Sequence, residues 1–273
     1  MENQNKLIDR TALHRNRKRF RAELGSFLQN EAILEAKERL YLFNRNFKET
    51  AIIAPFPELW EMVLPTAQMI KDDEILNFRG KEFDLILHVM ALHWSNDPLG
   101  QMIQCLRALR PDGLFLCALM GGETLLELRN SLADAESRIT GGLSPRVLPM
   151  ADIRDMGALL QRAGFALPVA DSLKLKVSYQ TPLELLYELR AMGGANAQMA
   201  RQKYFSRHSI FKEMYQIYAA RFPAQNGRII ASFEMIWLTG WAPSKNQQKP
   251  LRPGSAKMRL SDALQTKEKF LKV

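Results

Sequence analysis

The sequence predicts an α/β fold, an open and largely parallel sheet with helices on both faces. Three observations carry this. FDLILH at 83–88 and LFLCAL at 114–119 are mainly apolar runs of strand length, the pattern of strands covered on both sides. Between them, Asn96-Asp97-Pro98 reads as a helix start, with Asp97 as N-cap and Pro98 in the first turn. Leu99, Met102, Ile103 and Leu106 then fall on one helical face. Arg110-Pro111-Asp112-Gly113 reads as a turn, so strand, helix, turn and strand make one βαβ unit.

The other elements follow the same logic. Apolar Ile33, Leu34, Leu40 and Leu42 predict a helix over 30–44. AIIA at 51–54 is a short buried strand ended by Pro55, and 57–64 reads as a helix with proline at its start. A short strand is expected at 67–70, and a helix over 123–138 after Gly121-Gly122. Residues 141–149 form a loop, and 151–163 a helix closed by Gly164. Leu173, Leu175, Val177 and Tyr179 alternate with polar residues, as in a half-exposed strand. Helices over 182–192 and 208–222 flank the Gly193-Gly194-Ala195-Asn196 loop, and a long strand spans 228–241. Three segments emerge: a basic helical segment at 1–48, a body at 49–241 with a helical insertion at about 180–226, and a basic, extended tail at 242–273.

Composition narrows the function classes. The chain has 273 residues, 47% hydrophobic and 25% charged, which is ordinary for a folded protein. No apolar run is long enough to span a membrane. Two cysteines, Cys105 and Cys117, are too few for a disulfide framework, and the N-terminus lacks the pattern of a secretory or transit signal; a cytoplasmic protein is expected. The net charge of +9 is concentrated at the ends, +5 in residues 1–48 and +6 in 241–273. The densest run, 10–21, holds six Lys or Arg and no acid. It reads either as a solvated helix face or as an attachment point for an anionic partner, an acidic protein or the surface of a membrane. With Phe20 as its one aromatic residue, it does not favour nucleic acid.

At 83–122 the sequence resembles the second half of a class I S-adenosylmethionine-dependent methyltransferase. Within that family it is most similar to the branch of the mitochondrial complex I assembly factor of methyltransferase type. It is more distantly similar to the methyltransferase that esterifies malonyl acyl carrier protein. The resemblance rests on LHWSND at 92–97, GGETLLELR at 121–129, GGLSPRVLP at 141–149, ELRAMGGANA at 188–197, FEMIWLTGWAP at 233–243 and QQKPLRPGSAKMRL at 247–260. It implies a Rossmann-like, seven-stranded sheet with an antiparallel last hairpin and S-adenosylmethionine as cofactor.

The first half departs from that pattern. The family's glycine-rich loop follows its first strand, where glycines let backbone approach the ligand. Here the first strand runs into Pro55-Phe56-Pro57-Glu58, and no glycine occurs between Gly25 and Gly80. Only 28 residues separate Ala54 from Phe83. Two βαβ units of about 30 residues each do not fit there. One strand, one helix and the glycine loop are expected to be missing. Residues 67–78 resemble the family's third strand and the loop after it, which makes Asp72 the acid the resemblance places near the adenine. The alternative is a divergent loop that holds cofactor through backbone and Glu58.

Several residues are candidates for chemistry. His88 and His93 lie at the carboxyl end of the 83–88 strand, the ligand-binding edge of such sheets. His88 is a candidate cofactor contact. His93 reads either as a general base or as a ring packed, with Trp94, under the following helix. Gly121 and Gly122 face the same edge or form a capped turn. Ser144 and Arg146 lie in a loop suited to a carboxylate or a partner, with a structural ion pair as the alternative. Asn196 sits in the insertion, where the family often keeps a substrate lid. No His or Cys pair has metal-ligand spacing.

Three functions follow. The first is a protein of methyltransferase fold with a degenerate pocket, a pseudoenzyme that acts as an assembly or accessory factor for a complex I-like partner. The second is an active methyltransferase acting on a carboxylate or protein acceptor. The third is arginine hydroxylation, which the resemblance also brings.

Overall fold

The computed structural model describes residues 6–248, 254–255 and 258–266. Met1–Pro243 form one compact unit, so the basic N-terminal segment belongs to the body, and Ser244–Val273 form a second. In the second unit the described residues include one helical turn, Leu260–Ala263, in place of a wholly extended tail. Half of the resemblance at 247–260 lies outside the described residues.

Six strands form one mixed sheet: β1 (Thr50–Ile53), β2 (Gln68–Ile70), β3 (Phe83–Val89), β4 (Leu109–Met120), β5 (Ala166–Tyr179) and β6 (Ile229–Trp241), in the order β2-β1-β3-β4-β6-β5. The first four are parallel, while β6 runs antiparallel to both β4 and β5. Among the described residues the sheet has these six strands. β2 pairs directly with β1, with Ala51 opposite Gln68 and Ile53 opposite Ile70, so the sheet closes over the shortened segment.

Side-chain alternation splits the core in two. Ile52, Leu85, Leu87, Leu116 and Trp237 face one layer, built from helices α3 (Phe27–Leu42), α6 (Leu126–Thr140), α8 (Pro182–Ala191) and α9 (His208–Arg221). Ile53, Ile86, Phe115, Cys117 and Leu238 face the other, built from α5 (Pro98–Ala108) and α7 (Ile153–Arg162). Cys105 and Cys117 are buried here, and burial pushes both thiols' pKa up, so they stay protonated. The remaining helices are α1 (Arg10–Arg17), α2 (Ala22–Gly25) and α4 (Pro57–Trp60).

Local signals act as read. The Asp97 side chain accepts from the Gly100 N–H at 2.8 Å and caps α5. Gly164 ends α7 at φ +95°. Two expectations are corrected. Arg110–Gly113 is a bulge inside β4: Leu109 pairs with Phe83 and Leu114 with Leu85, and the extra residues are extruded with Asp112 at φ +64°. α4 stops at Trp60, short of 64; buried Trp60 anchors the turn by donating Nε1–H to Gln29 Oε1 at 3.0 Å.

The N-terminal segment lies against the helical insertion. Arg21 N–H donates to Ala191 O at 2.9 Å, and a Cβ on Gly25 would stand 2.5 Å from the Ala191 carbonyl carbon. Backbone meets backbone there, so neither side can yield by rotating a side chain. Gly25→Ala is expected to lower stability by about 1–3 kcal/mol, read as a lower urea midpoint at unchanged slope. An unchanged midpoint would show that α2 does not hold this position in solution.

Candidate functional site

The carboxyl ends of β1, β3 and β4 open into a cavity of about 360 Å³ between the sheet and the helical insertion. The sequence positions its parts through strand ends and one N-terminal helix.

Asp72 follows β2 by two residues and is only 4% exposed. Its carboxylate is already held: Arg17 Nη1 donates to both oxygens at 2.8 Å, and Arg10 donates to the Asp72 carbonyl. The Arg17 side chain is 10% exposed. Burial pulls its pKa down, and the neighbouring Asp72 charge pulls it back up. The 10–21 run is therefore only partly a solvated face, since two of its six cations turn inward onto an acid of the same chain.

Several bonds place α1 there. Asp9 caps it by accepting from the Ala12 N–H at 3.0 Å. Asn96, from the LHWSND motif, pairs with Ile8 in both directions, at 2.8 and 3.1 Å. Asn16 donates to Ala195 O at 2.9 Å, and Arg201 donates to Asp9 at 2.9 Å. The helix is thus tied to the strand ends and to the insertion loop together.

Beyond β1, the Phe56 ring stacks on Phe20 with centroids 3.9 Å apart, and Pro55 and Phe56 line the cavity. These side chains fill the turn that follows β1.

His93 and His88 behave differently. His93 lines the cavity, and its Nδ1 accepts from the Met120 N–H at 3.3 Å. Burial drives its pKa down to about 3. The neutral ring with Nδ1 engaged as acceptor carries its proton on Nε2, so it offers a donor rather than a base. His88 alternates with Leu87 and Val89, lies on the opposite face of the sheet, fully buried, and is not part of the cavity wall. Its Nε2 bonds to Gln101 Oε1 at 2.9 Å, and burial lowers its pKa as well.

The GGET turn is stitched to β6. Gly121 N–H donates to Glu234 O at 2.8 Å, Glu123 N–H to the Glu234 carboxylate at 3.0 Å, and Thr124 Oγ1 exchanges hydrogen bonds with the Glu234 backbone. A Cβ on Gly121 would come within 2.6 Å of Glu234, which accounts for glycine there. Gly121 and Gly122 lie outside the cavity lining; Thr124 and Leu125 belong to it. The helix α6 accordingly starts at Leu126, three residues after the predicted 123.

Ser144 and Arg146 converge on Glu136 of α6. Arg146 grips its carboxylate with two nitrogens at 2.7 and 3.0 Å, and Ser144 donates from hydroxyl and backbone. The fork suited to a carboxylate has taken one from its own chain. Arg146 also lines the cavity, as does Asn196, which donates to Pro145 O at 2.8 Å. The cavity thus gathers His93, Arg146 and Asn196 with Arg17, and leaves Asp72 behind Arg17. Sequence reading missed Arg17, Glu136 and Glu234 as organisers; Arg17 alone carried a signal, inside the basic run. Among the described residues no group of three His, Cys, Asp or Glu gathers to hold a metal ion, and no helix is long and apolar enough to cross a membrane.

Comparison with known proteins supplies the family. The profile described as a methyltransferase domain matches residues 50–117. The mitochondrial arginine-hydroxylase NDUFAF5 of Danio rerio is 36% identical over 73% of this chain and 62% of that protein. Its Homo sapiens counterpart is 34% identical over 72% of this chain and 56% of its own length. The chain carries a class I methyltransferase domain. A malonyl-[acyl-carrier protein] O-methyltransferase of Laribacter hongkongensis is a more distant relative, 30% identical over 69% of this chain and 61% of that protein. The chain therefore spans about half to three-fifths of the length of these curated relatives. Among solved structures, the phosphoethanolamine N-methyltransferase 2 of Haemonchus contortus aligns with a TM-score of 0.40 at 14% identity, over 80% of this chain and 53% of that one.

The Glu136 cluster makes a pH prediction. Burial works against ionising Glu136, but hydrogen bonds from Arg146 and Ser144 outweigh it and hold its pKa below the usual carboxylate range. A folded pKa below the unfolded one gives stability that is complete above the unfolded value, about 4.3, and fades as pH falls through the folded value. Glu136→Gln is expected to lose on the order of 3 kcal/mol near neutral pH, with the deficit shrinking below about pH 4. Paired urea titrations across that range measure it; a deficit independent of pH would mean that the charge is not what anchors the 144–146 loop.

Proposed function

We propose that this is a methyltransferase-family protein that no longer holds S-adenosylmethionine in the family's way and works as an assembly or accessory factor. The carrying observation is the turn after β1, where Phe56 stacked on Phe20 stands in place of a glycine cradle. A cofactor's amino acid end needs open backbone there, and proline with phenylalanine supplies bulk and one donor fewer. Asp72, the acid that resemblance assigns to the nucleotide, has both oxygens engaged by Arg17. The residues present do not fit the cofactor.

The assembly role follows the resemblance to the complex I assembly branch and names a complex I-like subunit as the expected protein partner. The basic ends add attraction to an acidic partner or an anionic membrane surface. A second reading, an active methyltransferase with a rebuilt pocket, is favoured by the cavity itself, which sits at the carboxyl ends of the strands with His93 in its wall. Arginine hydroxylation is carried by the names of the relatives alone.

Calorimetry and thermal shift with S-adenosylmethionine and S-adenosylhomocysteine decide between the first two. The expected outcome is no heat and no change in Tm at millimolar ligand. Micromolar binding would raise the midpoint by mass action and overturn the reading. Independently, deleting the gene should lower the complex I content of the membrane; unchanged content would remove the assembly role.

A further inference from the structure

The geometry points to a ligand class that none of these readings contains: we infer that the cavity binds an amphipathic anion, a single extended apolar chain ending in a carboxylate or phosphate.

Its size, about 360 Å³, falls in the range of small-molecule pockets, roughly 300–1,000 Å³. Met90 and Met120 close β3 and β4 at its base, and Phe233 of β6 lies beside them. Leu128, Leu186 and Leu189 come from the covering helices. Thioether and branched aliphatic surfaces adapt to a flexible hydrocarbon and offer it no hydrogen bonds. A polar nucleotide would leave most of this wall unused.

The charged lining has one sign. Arg17, Arg146 and Arg190 belong to it, and no carboxylate does. Asp72 and Glu136, from outside the lining, match the first two. Arg190 has no ion pair among the described residues and is exposed, so it stands where the cavity meets solvent. Arg17 keeps a second unused capacity: its Nη2 is buried without a hydrogen-bond partner. His93 adds an N–H donor from Nε2. A cationic ligand would meet only like charge here, and a neutral one would leave Arg190 idle. An anion with an apolar body satisfies both parts of the lining, because guanidinium favours carboxylate and phosphate equally in geometry.

The test is calorimetric titration of the full chain with a homologous series of straight-chain fatty acids, and with n-alkyl phosphates and n-alcohols of matched length, all below their micelle-forming concentrations. Acid affinity should rise roughly fourfold per added methylene until the cavity is full. The acid should bind at least about tenfold tighter than the alcohol of equal length. Arg190→Gln, at an exposed position, should remove most of that advantage and leave the chain-length slope intact. Leu189→Trp, which fills the cavity, should abolish binding of the whole series. Tighter binding of phosphates than of acids would assign the site to a phosphate-headed ligand, and the reverse to a carboxylate. Equal affinity for acid and alcohol, no chain-length dependence, or binding that persists in a folded Leu189→Trp protein would overturn the inference. Should Leu189→Trp fail to fold, the Arg190→Gln result decides alone: an undiminished preference for acid over alcohol would overturn it.

Discussion

The ion pair between Arg17 and Asp72 is the constraint on which the site depends. It joins the N-terminal helix to the end of the shortened half of the sheet, with both side chains almost wholly buried. A buried charge must be matched, and removing one partner of such a pair leaves the other uncompensated, at about 3–5 kcal/mol. Each residue is therefore held in its place by the other. Asp72 thus has a resident cation, and the helix that carries that cation forms part of the cavity wall. Asn96, Asn16 and Asp9 then fix that helix to the strand ends and the insertion loop.

Much of the fold was legible because its signals are local. FDLILH and LFLCAL are predominantly apolar, interrupted in the first by Asp84 and His88, and the structure covers both with helices. Asp97-Pro98 caps a helix wherever it occurs, because the carboxylate needs only the N–H groups of the next turn. The spacing of 28 residues between Ala54 and Phe83 is read directly from the chain. What misled was context: Arg110–Gly113 has the composition of a turn, yet β3 pairs on either side of it and draws it into a strand as a bulge. The GGET turn bound to Glu234 precedes α6, which starts at Leu126, a tertiary contact that a pattern of periodic residues does not register.

The site was legible in part, for a physical reason. Position at the carboxyl ends of parallel strands follows from topology, and His93, Arg146 and Asn196 do line the cavity there. Orientation does not follow. His88, inside β3, faces the layer opposite Leu87 and Val89 because a strand alternates at every residue, whereas His93 lies beyond the strand in the turn Leu92–Trp94. Gly121 and Gly122 serve the backbone of β6, and Ser144 serves Glu136. Long-range ion pairs such as Arg146 with Glu136 and Arg17 with Asp72 join residues with no local sign that they meet. The basic run showed that cations were concentrated, but only the fold shows which two face inward.

The outer margin of the sheet has a consequence of its own. β5 is fourteen residues long, pairs with β6 alone, and leaves its other flank without a neighbour in the sheet order. A flank of that length invites templated addition of an identical strand from another molecule, the first step of fibrillar self-association. Lys174 and Lys176 project from alternate positions along it, Pro168 withholds an N–H near its start, and the register shift near Ala166 bends it. Lys174 pairs with Glu123 at 2.7 Å, so exposed Lys176 and the missing N–H of Pro168 are what discourage such pairing, while the inward-facing leucines complete the core.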